Sequence, residues 1–213
     1  MKSDGICRYC KKAFSGSAMT KHLQSCAERK KESEKDAHEG KAYLMHAQCG
    51  PFWIYFETNH DSTLRDIDRF LRDVWLECCG HLSMFTIGGV NYSVSPEKEY
   101  GDKSMNVQIG KIVSVGMPFT HEYDFGTTTT LGLKVLSERK GRVKGVSPIA
   151  RNNLPDFRCA CEKPAKEICS QCAGDGEGFL CEKCAKEHEC GEDMLLPYVN
   201  SPRTGMCGYT GND

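Results

Sequence analysis

The sequence predicts an α+β fold with a metal-organised segment at each end, and three observations carry that reading. Eight of the 14 cysteines, together with His188, crowd into residues 159–207. A second, shorter Cys/His array opens the chain at residues 7–26. Between them one strongly amphipathic helical stretch is surrounded by short β-type segments, the pattern of a helix packed on a sheet.

The C-terminal array reads Cys159-Ala-Cys161, Cys169-Ser-Gln-Cys172, Cys181-Glu-Lys-Cys184, His188, Cys190 and Cys207. A C-x2-C pair lets one tight turn aim two thiolates at one tetrahedral zinc ion. The competing explanation, a disulfide framework, requires an oxidising compartment. The N-terminal Met1-Lys-Ser-Asp-Gly has no apolar signal segment, so the reading is zinc in a cytoplasmic protein. Nine candidate ligands exceed the eight that two closed sites need, so one is spare or a further partner is missing. Four protein ligands per ion leave no position for water or substrate, which makes such sites structural.

The order of these pairs resembles that of B-box and MYND-type fingers. The resemblance implies a cross-brace-like two-zinc module in which pairs one and three share a metal and pairs two and four share another. Cys159 or Cys161 would then join Cys181 and Cys184. Cys169, Cys172 and His188 would share the second ion with Cys190 or Cys207.

At the other end, Cys7-x2-Cys10 is followed by His22 and Cys26. This resembles a ββα zinc finger whose last histidine is replaced by cysteine. Phe14 lies where that finger has its core aromatic, and Met19 stands at the usual leucine place. His22 and Cys26 are four apart, so a helix from about Ser17 puts both on one face. With the C-terminal module this implies about three zinc ions per chain.

Charge is distributed unevenly. Residues 1–31 carry eight Lys/Arg against two acids, a net of +6, whereas residues 32–150 are net −3 and residues 151–213 net −4. Lys11, Lys12 and Lys21, with Arg29, Lys30 and Lys31, are therefore the candidate phosphate contacts. The helix-start residues Ser15, Gly16, Ser17 and Ala18 offer little for reading bases. No uncharged apolar run reaches about 18 residues, so no membrane-spanning helix is expected.

Residues 28–43 read as a charged run that extends the finger helix and then becomes a solvated linker, leaving the finger loosely tethered. Patterned sequence starts near Tyr43. Phe52-Trp-Ile-Tyr-Phe56 has the content of a buried strand. Thr63-x-x-Asp66 forms a capping box for a helix whose stripe is Leu64, Ile67, Leu71, Val74 and Cys78, widened by Phe70 and Trp75. Gly80 suits the left-handed cap, and Cys78-Cys79-Gly80-His81 reads as the helix end rather than a metal fragment. Residues 82–87 and 90–94 form a hairpin about Gly88-Gly89, and residues 109–115, 121–125 and 131–136 read as further strands.

Glu122-Tyr-Asp-Phe-Gly126, preceded by the helix of residues 64–71 and the stretch 75–85, resembles the signature of the plasmid pRiA ORF-three-like family, also called passenger-TnpR-like. The resemblance covers about residues 44–147. Thr127–Thr130 stand where many members carry acidic residues and a tryptophan. The ending Asn200-Ser-Pro-Arg-Thr-Gly-Met-Cys-Gly-Tyr is similar to the zinc-bearing ending of some members. The resemblance implies an α+β fold and an association with mobile elements, and no established reaction.

The expected organisation is a finger at 1–27, a linker at 28–43, the α+β domain at 44–150 and the cysteine-rich module at 151–213. The leading function is non-enzymatic binding of nucleic acid or of a nucleic-acid-handling protein. The rival is an enzyme with a site near His81, His121 and Asp124.

Overall fold

A computed structural model describes residues 3–35 and 39–211, apart from the side chains of Glu34, Lys35 and Asp175. The fold is α+β, built on one ten-stranded sheet with few helices. Its central hairpin is β3 (Lys41–Cys49) and β4 (Phe52–Asn59), in register from Ala42 opposite Asn59 to Cys49 opposite Phe52. Every residue of β4 is buried. Alternate side chains of a strand face opposite ways, so this strand must be covered on both faces. Phe52, Ile54 and Phe56 join the main core with Met45 and Ala47, against Leu64, Ile67, Leu71 and Trp75 of the helical segment. Trp53 and Tyr55 point the other way and pack with Leu44, Met19 and Leu23.

Along the sheet, β9 (Thr129–Lys140) pairs with β3, and β8 (Pro118–Tyr123), β5 (Ser83–Ile87), β6 (Val90–Ser93) and β7 (Lys103–Ser104) follow on that side. The β5–β6 turn is the expected Gly88-Gly89, both with positive φ, opposing Ile87 to Val90. On the other side of β4 lie β10 (Ser147–Asn152), β1 (Asp4–Cys7) and β2 (Ala13–Ser15).

The last two belong to the N-terminal finger, so its hairpin continues the central sheet. Gly5 is what permits this: a Cβ there would lie 2.1 Å from the Arg151 carbonyl oxygen and 2.4 Å from the Trp53 ring. The finger helix α1 (Gly16–Ser25) buries Met19 and Leu23. The Tyr55 hydroxyl donates to the Gly16 carbonyl at 2.7 Å and accepts from the Thr20 hydroxyl at 2.6 Å.

The expectation of a loosely tethered finger is therefore corrected. The expected helical extension is present as α2 (Ala27–Lys35), but it is docked, while residues 36–38 lie outside the described residues. Arg29 is buried: its Nε donates to Glu57 at 3.2 Å and its Nη1 to the Leu23 carbonyl at 2.7 Å. Arg139 donates to the same carboxylate at 2.9 Å.

The capping box of α3 (Leu64–Leu71) forms as read, with Thr63 accepting from the Asp66 N–H and donating its own N–H to the Asp66 carboxylate. The helix then widens into a π turn over Arg72–Leu76, closed by the Glu77 N–H on the Arg72 carbonyl. One extra residue per turn shifts the phase of the stripe. Trp75 and Leu76 become fully buried, while Val74 and Cys78 are only partly buried. The 109–115 segment is not a strand. Ile109–Lys111 makes a 3-10 turn, and Ile109 and Val113 reach the core from a loop.

In the C-terminal part, β11 (Glu167–Cys169) lies between β12 (Phe179–Leu180) and β13 (Leu195–Pro197), with the short α4 (Glu182–Lys186) after β12. The chain then returns to the central sheet, and residues 201–205 are all buried.

Candidate metal centres

Among the described residues, four sets of Cys/His side chains converge, each with its candidate ligand atoms within 4.8 Å of one another. A tetrahedron with metal–sulfur bonds of about 2.3 Å has sulfur–sulfur edges of about 3.8 Å, which gives a measure for each set.

The first set is Cys7, Cys10, His22 and Cys26. The turn between β1 and β2 is closed by the Cys7 N–H on the Lys12 carbonyl and the Lys11 N–H on the Cys7 carbonyl. It presents Cys10 Sγ 3.2 Å from His22 Nε2. Phe14 stacks on the His22 ring at 3.9 Å. Burial, with Lys12 nearby, holds His22 below the ordinary imidazole range and so favours the neutral ring that a metal needs.

The second set takes both Cys159 and Cys161, with Cys181 and Cys184. Cys161 Sγ lies 3.5 Å from Cys181 and 3.7 Å from Cys184. Backbone N–H groups of Cys161 and Cys181 draw the Cys159 thiol down to about 6, while Cys159 and Cys161 push Cys184 up to about 12.

The third is Cys169, Cys172, His188 and Cys190, in which Cys172 Sγ stands 3.6 Å from His188 Nε2 and 3.7 Å from Cys190. Cys172 is likewise pushed up to about 12, by Cys190 and then Cys169. Thiols this close compete for charge, and a dication removes the conflict by binding all of them as thiolates. The spacing and soft donor sets fit zinc. Sets two and three interleave along the chain, the order implied by the cross-brace resemblance.

Cys207 belongs to neither. It meets Cys78, Cys79 and His81 in a fourth set, which corrects the reading of that stretch as a bare helix end. The π turn leaves Cys78 only partly buried against the core, and Gly80, with φ 76°, turns the chain so that Cys79 and His81 come together. Cys79 Sγ is 2.9 Å from His81 Nε2 and 3.5 Å from Cys207. The visible sequence signal was the surplus ninth ligand.

His81, His121 and Asp124 belong to one chain of polar contacts: Arg72 donates to Asp68, the partner of His121, and at 2.7 Å to the His81 carbonyl, while His81 Nε2 lies 3.5 Å from Asp124. His121 is fully buried and bonds Asp68 at 2.8 Å, and Asp68 also accepts from Ser83 and Arg72. Burial alone would raise the Asp68 carboxyl, but His121, Ser83 and Arg72 outweigh it and hold the group low. Asp124, at φ 66°, accepts from the Gly126 and Thr127 N–H groups and pairs with buried Arg203 at 2.9 Å. None of the three residues lines any of three open surface grooves, beside Arg139, Lys183 and Glu192. Among the phosphate-contact candidates, Lys11, Lys12, Lys21, Lys30 and Lys31 are exposed, and Arg29 is withdrawn into its ion pair with Glu57.

No protein-family model matches the chain, and no curated protein matches it. A crystal structure of a protein of unknown function, MM3350 from Methanosarcina mazei Go1, is similar over 53% of this chain and 68% of its own, at 18% identity and a TM-score of 0.43. No helix among the described residues is long and apolar enough to cross a membrane.

Proposed function

We propose that this is a zinc-structured, non-enzymatic binding protein whose basic N-terminal face holds the phosphate backbone of a nucleic acid. The observation that carries the first half is the closure of the ligand sets. Each contains four Cys/His groups, so a tetrahedral ion has no vacant position for water or substrate. His121 is fully buried and Asp124 is tied to Arg203, so neither is open to a substrate, which supports binding over catalysis.

The second half rests on the exposed lysines. Lys11, Lys12 and Lys21 lie on the finger, and a groove of about 830 Å³ beside α2 adds Lys30 and Lys140, with Lys41 there paired to Glu138 at 3.2 Å. Base reading is disfavoured because the exposed start of α1 presents only the small side chains of Ser17 and Ala18, and Gly16 packs against the sheet. A Cβ at Gly16 would sit 3.1 Å from the Trp53 indole nitrogen. Contacts confined to phosphate predict steep salt dependence and little sequence preference.

We read the central domain as a member of the plasmid pRiA ORF-three-like family. Its support is the structural duty of the signature, in which Asp124 closes the loop to Gly126 and anchors Arg203.

Fluorescence anisotropy of labelled single- and double-stranded oligonucleotides against the zinc-loaded protein tests the proposal. Binding is expected to be similar across sequences. The combined variant Lys11→Glu, Lys12→Glu, Lys21→Glu should weaken it at least about ten-fold and make the salt slope shallower by roughly 2–3. Wild-type protein that binds neither DNA nor RNA at low salt overturns the nucleic-acid half and makes the finger face a protein-docking surface.

A further inference from the structure

We infer that Cys78, Cys79, His81 and Cys207 hold a fourth zinc ion, which clamps the C-terminal tail to the central domain. The inference rests on the zinc reading above and extends it to a seam between two parts of the chain. Cys78, Cys79 and His81 follow the π turn, whereas Cys207 arrives from 126 residues beyond His81. The geometry is that of a tetrahedral site. Cys78 and Cys79 sulfurs are 3.6 Å apart, Cys79 and Cys207 are 3.5 Å apart, and His81 Nε2 is 3.3 Å from Cys207. The two sulfur–sulfur edges are close to the about 3.8 Å that four-coordinate zinc sets, and the edges from His81 Nε2, 3.3 Å to Cys207 and 2.9 Å to Cys79, are shorter, in the direction that the shorter metal–nitrogen bond requires.

The surroundings suit a charged thiolate cluster. Zinc bound by three thiolates and a neutral imidazole carries about −1 and releases up to three protons on forming. The Arg203 guanidinium is fully buried beside it and donates to Cys78 Sγ at 3.5 Å. That arginine is itself fixed by Asp124 and by the Thr127 carbonyl at 2.6 Å. Asp124 also approaches His81 Nε2 to 3.5 Å, so the cluster, the tail arginine and the Tyr-Asp-Phe-Gly loop form one unit. Ser201 adds a bond from its hydroxyl to the Trp75 carbonyl at 2.7 Å. The tail thus reaches the π turn at Ser201 and the metal set at Cys207.

The alternative occupant of such a site is a Cys79–Cys207 disulfide. Both of these cysteines are exposed, so their chemical state can be read without unfolding the protein.

Native mass spectrometry of the zinc-loaded wild-type chain should find four ions, and Cys207→Ser should find three. Because Cys207 is at the surface, that variant keeps the other sets intact. Alkylation with iodoacetamide supplies a second reading on unaltered protein. Cys79 and Cys207 should be protected in the zinc-loaded form and become the first thiols labelled after chelation. Hydrogen exchange at residues 201–209 should rise in Cys207→Ser. Three ions in both wild type and variant overturn the fourth site and leave the zinc-structured reading standing. No ions in either overturn both. A wild-type mass two hydrogens light, with Cys79 and Cys207 joined, also overturns it.

Discussion

At the scale of single residues, the finger is fastened to the sheet by Glu57, a carboxylate only 1% exposed between Arg29 and Arg139. Burial alone would raise its pKa, but the two guanidiniums outweigh it and hold the group below the ordinary carboxylate range. A depressed folded-state pKa contributes stability that is full above the unfolded value and is lost as pH falls through the folded one. Glu57→Gln leaves two cations facing a neutral amide and should cost about 3–5 kcal/mol by urea denaturation at neutral pH. His46 gives a second pH signal. It stacks on Tyr55 at 4.4 Å, and burial pulls its pKa down to about 4. Its protonation is resisted by the fold, so stability should fall between about pH 6.5 and about pH 4. Acid also releases metal, so the check is a difference: His46→Gln should lose less stability than wild type over that interval.

At the scale of elements, the readings that held were those written in neighbouring residues. The capping box at Thr63 and Asp66, the Gly88-Gly89 hairpin and the spacing of Cys7, Cys10, His22 and Cys26 each depend on a short span of chain. The docking of α2 depends on Arg29 finding Glu57 on a strand 28 positions away, and a charged run gives no sign of which cation will be buried. Beyond its surplus ninth ligand, the fourth cluster was hidden in the sequence for two reasons. Cys207 lies 126 or more positions from its other members, and the π turn that frees Cys78 and Cys79 inserts a residue that helical periodicity does not anticipate. The strand misread at 109–115 has the same origin: Ile109 and Val113 are buried by contacts with the rest of the core, not by a ladder of their own. The α2 docking makes a separate prediction. Trypsin should spare the Arg29–Lys30 bond in wild type, because its approach requires α2 to leave the sheet. Cleavage there should appear in Glu57→Gln, read by intact-mass analysis. Equal cleavage in both proteins would mean that the ion pair does not hold the helix.

At the scale of the whole molecule, the four ligand sets differ in how far water and chelators can reach them. The finger set has Cys7 and Cys26 buried, the second set has Cys159 and Cys181 buried, and the third has Cys169 buried. The set at the tail has no buried member: Cys79 and Cys207 are exposed, and Cys78 and His81 are half-exposed. Chelator attack requires a ligand to detach and the competitor to enter, so exchange should follow exposure rather than ligand type, which is Cys3His in three of the four sets. The tail ion should leave first. Its loss should loosen residues 201–209 while leaving the ten-stranded sheet folded, because Met19 and Leu23 still pack on that sheet from the finger. The finger ion should leave late and take sheet stability with it, since β1 and β2 are strands of the same sheet. A chelator time course followed in parallel by native mass spectrometry and by circular dichroism separates these events. The expected record is an early step from four ions to three with an unchanged β signal, then slower steps accompanied by its loss. Simultaneous loss of all ions, or a β signal that falls with the first, would show that the tail clamp and the sheet unfold as one cooperative unit.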